Sequence, residues 1–568
     1  MRRFGLAILA LVAVFGLYRF FRAGSPAPDA GGGRLVITQR TEPSSFNRLA
    51  VPQFGAELVS RLTNGYLIRV NRPTGAIEPA LATEWTLADD GMTYTMKLRA
   101  AEFSDGTPFT AADVVFTFRA LYDPKVASAI ASGMKVGDQP IVVRALDERT
   151  ILLKFPAIYG PGLSILDALP ILPKHKLEAA LDAGTFAAAW GVTAPLSDFA
   201  GLGPFVLGER VAGQHVTLAK NPRYWGKDAA GRPLPYLDAI NIEYVPEQNA
   251  EMLRLEAGTT DLITDQIRPE DVASLERAKA DGKVQLVDAG VSVDPVGLWF
   301  NLVPDAPAAK GRAWLQAEEL RHAISLAVDR QKIVDTVFLG AAEPIYNPVT
   351  RGHAQWFAPD LPHPAHDPAR AKALLESIGL KDRNNDGVID DAGGKTAHLS
   401  VITRKGNTIL ERTMANVQEQ LRAIGLTLDV VALERDALLA QFGKGEYDTI
   451  YYGAPFSSVD PTVNADLWLS SGAFHFWNPQ QTKPATPWEK EIDDLMQQVA
   501  STTDMTARVQ AFRKVQEVFN AHEPMVFFAA AKVTIAMSSR VTGASPATLQ
   551  PQVLWKPETL GVGGPIKR

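Results

Sequence analysis

At 568 residues the chain is too long for one hydrophobic core, so two or three domains are expected. Its formal net charge of -6, with Lys and Arg scattered along the chain, argues against a nucleic-acid partner. The absence of cysteine excludes disulfides, thiolate metal sites, Cys nucleophiles and a lipidated N-terminal Cys. The chain opens with Arg2-Arg3 and an apolar run from Phe4 to Tyr18, interrupted by Arg19 and Arg22. The run is apolar all round and a Pro/Gly/Ala linker follows, so it reads as an export signal rather than a core helix. A membrane span takes about 20 apolar residues, which would recruit Phe20 and Phe21 past Arg19. Cleavage is poorly signalled: Ala27 has Ser25 at the right offset but Pro28 follows, and no A-x-A precedes Gly31-Gly32-Gly33. Export with the segment retained as an anchor at the membrane surface is the expectation.

Leu35 to Thr38 predicts a first strand, and Thr41-Glu42-Pro43-Ser44-Ser45-Phe46-Asn47 reads as a turn after it. An Asp90-Gly91 turn feeds a segment in which Tyr94, Met96 and Leu98 share one face, the period of a half-buried strand. Ser104-Asp105-Gly106-Thr107-Pro108 breaks the chain, and Thr110 with Asp113 three residues on predicts a capping-box helix start. The wording of the whole stretch, DGMTYTMKLRAAEFSDGTPFTAADVVFTF from Asp90 to Phe118, closely resembles a known signature. It is that of the solute-binding proteins serving peptide-type ABC transporters, the oligopeptide, dipeptide and nickel binding family (bacterial solute-binding protein family 5). Gly201-Leu202-Gly203-Pro204-Phe205 departs by one residue from that family's Gly-Thr-Gly-Pro-Phe, and Asn221 to Gly226 and Leu234 to Asp238 match further wording.

The resemblance implies an α/β, two-lobed periplasmic-binding-protein-like fold of class II with an extra subdomain and a ligand cleft between the lobes. It divides the chain into a signal or anchor segment and linker (1–33), a first lobe (34–290) with the subdomain at about 73–198, a second lobe (291–530), and a return to the first (531–568). It implies capture of a peptide or other small solute, delivery to an ABC permease and its ATPase, no cofactor, no enzymatic activity and a monomeric state.

The remaining elements are read from the residues. Ala239 to Val245 predicts a strand, about 247–257 a helix, and Asp261 to Ile263 a short strand. Leu320, Ala323, Ile324 and Ala327 share a helical face, and Asp329 caps a second helix ending at Gly340. Asp367-Pro368 starts another, closed by Gly379. Strands at Leu399 to Thr403, Leu426 to Val431 and Thr449 to Tyr452, with helices between, predict a doubly wound half. A helix from about 504 to 521 precedes an apolar run, Met525 to Ala530.

Enzyme motifs are lacking: there is no G-x-S-x-G or H-E-x-x-H, and Ile389 stands where a Walker A loop ending in Gly394-Lys395-Thr396 needs glycine. A hydrolase on a borrowed binding-protein fold and a nickel or metal-chelate receptor are the competing classes. Asp382, Asn384, Asp386 and Asp390 hold positions 1, 3, 5 and 9 of a calcium loop, but position 12 is Gly393 instead of a bidentate Glu, so a solvated turn competes. His353, His363 and His366 lie among prolines without regular ligand spacing, so surface residues compete with a metal site.

For the ligand, the resemblance points to the cleft-edge loop with Glu42, Ser44, Ser45, Phe46 and Asn47, and to the hinge-strand segment with Trp299 and Asn301. It also points to Tyr451, Gly453, Ala454, Pro455, Phe456 and Asp460. Peptide binders of the family place an Asp just after such a segment to pair with the ligand's ammonium, and Ala454 and Pro455 stand in its place here. A buried ammonium without a carboxylate is costly, so Asp460 or Glu42 would have to substitute. Asp460 as the cap of the next turn is an equal reading. Phe474, His475 and Trp477 offer aromatic and hydrogen-bonding groups for a pocket wall, with core packing as the alternative.

Overall fold

The computed structural model describes residues 32–563 except 129, 138, 305 and 454–459. The expected export or anchor segment falls on residues 1–31, outside the described residues, and so do Ala454, Pro455 and Phe456. Among the described residues no helix is long and apolar enough to cross a membrane.

Two α/β lobes are each built on one main sheet. The first sheet centres on the strand Arg34–Gln39, whose residues from Leu35 onward are all buried, as a strand covered on both faces must be. It pairs in parallel with Ala239–Tyr244 on one side and Leu262–Ile263 on the other. Antiparallel strands Phe205–Val211 and His215–Lys220 extend one edge, and Ala529–Ser538 with Val284–Val291 extend the other. The second sheet runs Thr427–Leu433, His398–Arg404, Thr449–Gly453, Val296–Phe300, Met525–Phe527. Its first three strands are parallel and joined by helices, as the periodicity predicts; the last two are antiparallel additions. They are the strands on which the chain enters and leaves the lobe, so no crossover helix is needed between them.

Helix Thr408–Ala423 shows why the layers hold. Leu410, Met414, Val417 and Leu421 recur at helical spacing, are buried, and share a core cluster with Leu399 and Val401 of the strand before them. Each such side chain contributes roughly 1.5–3 kcal/mol by leaving water. The helix after Asp329 is shorter than its pattern suggests: it stops at Thr336, and Val337 and Phe338 turn into the core before Gly340.

The signature stretch forms strand Thr93–Leu98 and helix Ala111–Tyr122 of an antiparallel four-stranded subdomain. The capping box is present, with the Thr110 N–H donating to Asp113 Oδ2 at 2.9 Å. The other Asp113 oxygen accepts the Lys174 N–H at 3.1 Å, so one carboxylate fixes two helix starts. Gly203 packs against the end of helix Phe54–Thr63, where a Cβ would stand 2.5 Å from the Thr63 carbonyl carbon.

Candidate functional site

In both lobes the parallel strands end toward the same gap. Arg40 and Asp265 follow the strand ends of the first sheet, and in the second Arg404 ends His398–Arg404 and Lys405 to Thr408 follow it. That strand leads on to Thr427–Leu433 on one side, while its other neighbour, Thr449–Gly453, leads on to Met525–Phe527 on the far side. Such a switch point leaves a crevice at the carboxyl ends where ligands bind in α/β sheets. A cavity of about 570 Å³ occupies it here, lined from both lobes, a size within the usual range of ligand sites.

The lobes join through two adjacent crossovers. Ser292 to Pro295 link Val284–Val291 to Val296–Phe300, and Phe528 links Met525–Phe527 to Ala529–Ser538. Gly297 opposes Phe527 and Val291 opposes Lys532, so the crossovers run side by side along the cavity. Elsewhere, a subdomain loop touches the second lobe. The Gly160 N–H donates to the Ala500 carbonyl at 2.5 Å, and a Cβ on Gly160 would stand 2.5 Å from Arg508 Nε.

Charges on the cavity wall are mostly accounted for. Arg40 pairs with Glu251 at 2.8 Å; burial raises the Glu251 pKa and outweighs the guanidinium's opposing pull. Arg268 pairs with Asp271 at 2.8 Å, and Lys405 with Glu434 at 3.0 Å. Asp265 accepts the Arg40 N–H at 3.2 Å. Arg404 and Lys532 line the same wall without an ion-pair partner among the described residues.

The sequence-nominated residues lie mainly in structural roles. Glu42 accepts from Arg210 and from the Gly213 N–H, and Ser44 bonds Gln53. Ser45 donates to the Trp190 carbonyl, Asn47 to those of Phe186 and Ala189, and Phe46 meets Phe199 edge-on. Trp299 is fully buried, stacked on Trp477, and donates to the Tyr452 carbonyl. Asn301 donates to the Gly445 and Tyr447 carbonyls. Tyr451 borders the cavity with a buried side chain, and Gly453 opposes Val296 at the end of its strand.

Asp460 is buried and grips Arg508 through both oxygens, at 2.7 and 2.8 Å, while also accepting the Thr462 N–H. Its capping role is thus visible, and its charge is already matched. Phe474 is exposed, whereas His475 and Trp477 are buried and both contact Glu489. Burial alone would raise the Glu489 pKa, but hydrogen bonds from His475, Trp477 and the Ala485 N–H pull it down to about 2. In the Asp-rich loop, Asp382 accepts three backbone N–H groups, from Asn384, Asn385 and Gly387. Asp386 accepts the Val388 N–H and bonds Asn384, and Asp390 pairs with Lys381 through the backbone. His363 stacks on Tyr346. Among the described residues no group of three or more His, Asp or Glu side chains is placed to hold a metal ion.

Sequence reasoning missed Arg404, Lys532 and Asp265. The signal was present for Arg404, which stands between a predicted strand and a predicted helix, at the position where the switch-point rule puts a ligand.

The family model described as bacterial extracellular solute-binding proteins, family 5, middle, matches residues 76–476. A probable ABC transporter-binding protein of Deinococcus radiodurans is 26% identical over 559 residues, covering 94% of this chain and 93% of the relative. The oligopeptide-binding protein AppA of Bacillus subtilis is 25% identical over 565 residues, covering 95% and 96%. The structure of Bacillus subtilis AppA in complex with a nonapeptide superposes with a TM-score of 0.71 at 24% identity, covering 94% of this chain and 99% of that one.

Proposed function

Since the chain belongs to the bacterial extracellular solute-binding proteins of family 5, we propose that it captures a peptide or peptide-sized solute between its lobes and delivers it to an ABC permease and its ATPase. It acts outside the cytoplasm, as a monomer, and does no chemistry on its cargo. The observation that carries this reading is the cavity of about 570 Å³ at the carboxyl ends of both sheets, beside two strand crossovers. Rotation about a few residues at strand ends is how hinged binding proteins close on a ligand. Cargo favours closure only by binding the closed form more tightly than the open one. The similarity to AppA supports a peptide as the cargo.

The test is mass spectrometry of solute released from protein purified without denaturation, followed by scattering with and without that solute. Release of a peptide and a smaller radius of gyration on its return are expected. A sugar or a metal chelate as the released solute would overturn the peptide reading.

A further inference from the structure

We infer that the cleft selects anionic cargo, an acidic peptide carrying Asp or Glu side chains, with Arg404 and Lys532 as its carboxylate contacts. The inference rests on the peptide-binding reading and names the class of peptide.

The chain as a whole is acidic, at -6, yet the cavity wall carries five basic side chains against two carboxylates, Asp265 and Asp294. Three of the five are neutralised locally: Arg40 by Glu251, Arg268 by Asp271, Lys405 by Glu434. Arg404 and Lys532 are left over, one from the strand end of the second lobe and one from the crossover strand.

Lys532 is half-buried, and an ammonium drawn partly out of water without a counter-ion is held at a cost that an incoming carboxylate removes. Thr408 and Ile409 open the 16-residue helix Thr408–Ala423 on the same wall, where the helix dipole also favours negative charge. The two carboxylates nominated for a ligand ammonium, Glu42 and Asp460, are engaged by Arg210 and Arg508. With those two carboxylates engaged, the wall's cations without an ion-pair partner among the described residues, Arg404 and Lys532, are the groups it offers to a charged guest.

The experiment is calorimetric titration of the full chain, freed of cargo, with tetraglutamate, tetra-alanine and tetralysine, and with citrate and raffinose as non-peptide probes. Tetraglutamate should bind on the order of 10- to 100-fold tighter than tetra-alanine at low salt, the worth of one or two charge-assisted hydrogen bonds, with tetralysine weaker still. The doubly substituted Arg404→Glu, Lys532→Glu protein should lose or invert that order, with an unchanged urea midpoint showing that it folds. Arg404→Gln alone should lie between. Tetralysine or tetra-alanine binding as tightly as tetraglutamate would overturn the inference and leave the peptide reading standing. Binding of citrate but no peptide would uphold selection for anions and overturn the peptide reading. Raffinose as the sole binder would overturn both.

Discussion

Two arginines of the second lobe meet opposite fates. Arg508 is 1% exposed and its guanidinium is held by both oxygens of Asp460; Arg404 stands exposed at a strand end with no acidic partner among the described residues. The first pair is complete before any ligand arrives, and the second cation is left wanting. A charge that folding has already matched is part of the architecture, while one that folding leaves unmatched at a cavity wall is available to a guest. On this contrast Asp460 belongs to the frame, and the recognition surface lies at Arg404 and Lys532.

The sharpest way to break that contrast is Asp460→Ala. It strands a buried guanidinium, so it should cost about 3–5 kcal/mol in urea unfolding. Replacing the pair together, Asp460→Leu with Arg508→Met, should recover most of the loss. If Asp460→Ala instead left stability intact and abolished peptide binding, the frame assignment would be reversed.

Next in size is Glu489, a second matched charge. Its folded pKa of about 2 lies below the ordinary glutamate value of 4.5, so its contribution is fully present above pH 4.5 and is lost as pH falls toward 2. Glu489→Gln should lower stability at pH 7 by about 2–3 kcal/mol and flatten the acid limb of the stability curve between those values. An acid limb unchanged by the substitution would show that His475 and Trp477 do not hold a carboxylate charge there.

How much of this was legible beforehand follows from what sequence patterns encode. Met96 and Leu98, or Leu410 and Val417, announce strand and helix because burial on one face is periodic. The signature from Asp90 to Phe118 carried the family because it describes a subdomain, outside the cavity lining, whose capping box and turn are local. The cleft was harder to read. Trp299, His475 and Trp477 carry groups suited to a binding site, yet their partners, Tyr452 and Glu489, come from other elements and fold them inward. Whether an arginine is matched depends on residues far along the chain: Asp460 and Arg508 are 48 positions apart, and Arg40 and Glu251 are 211 apart. No window of local sequence reports such pairings.

A smaller effect is expected at the loop that meets Arg508 from the other side. Gly160→Val would push a branched side chain against Arg508 Nε and the Thr502 and Val499 carbonyls, at 2.5 to 2.7 Å from the Cβ. Overpacking there should cost about 1–3 kcal/mol in bringing the surfaces together. Because the contact joins the subdomain to the second lobe, the cost should fall on closure, as ligand affinity weakened roughly tenfold or more. Scattering should then show a less compact liganded form. A full loss of folding instead would mean that the contact persists with the cleft open.

The smallest expected change in stability, and the one that sharpens the contrast most, comes from the unmatched cations. Arg404→Gln and Lys532→Gln remove no ion pair among the described residues, so each should move the unfolding free energy by no more than about 0.5 kcal/mol. Lys532→Gln should fall on the stabilising side of zero, because a half-buried ammonium without a counter-ion is a cost to the folded state. High salt should shrink the difference between wild-type and variant further, since screening weakens whatever field the remaining charges exert on the two cations. A loss above about 1 kcal/mol in either variant would place these side chains in the frame with Arg508. Near-neutral stability with weakened binding of an acidic peptide would separate the two kinds of charge by measurement, because the loss would then fall on the guest's affinity and not on the host's fold.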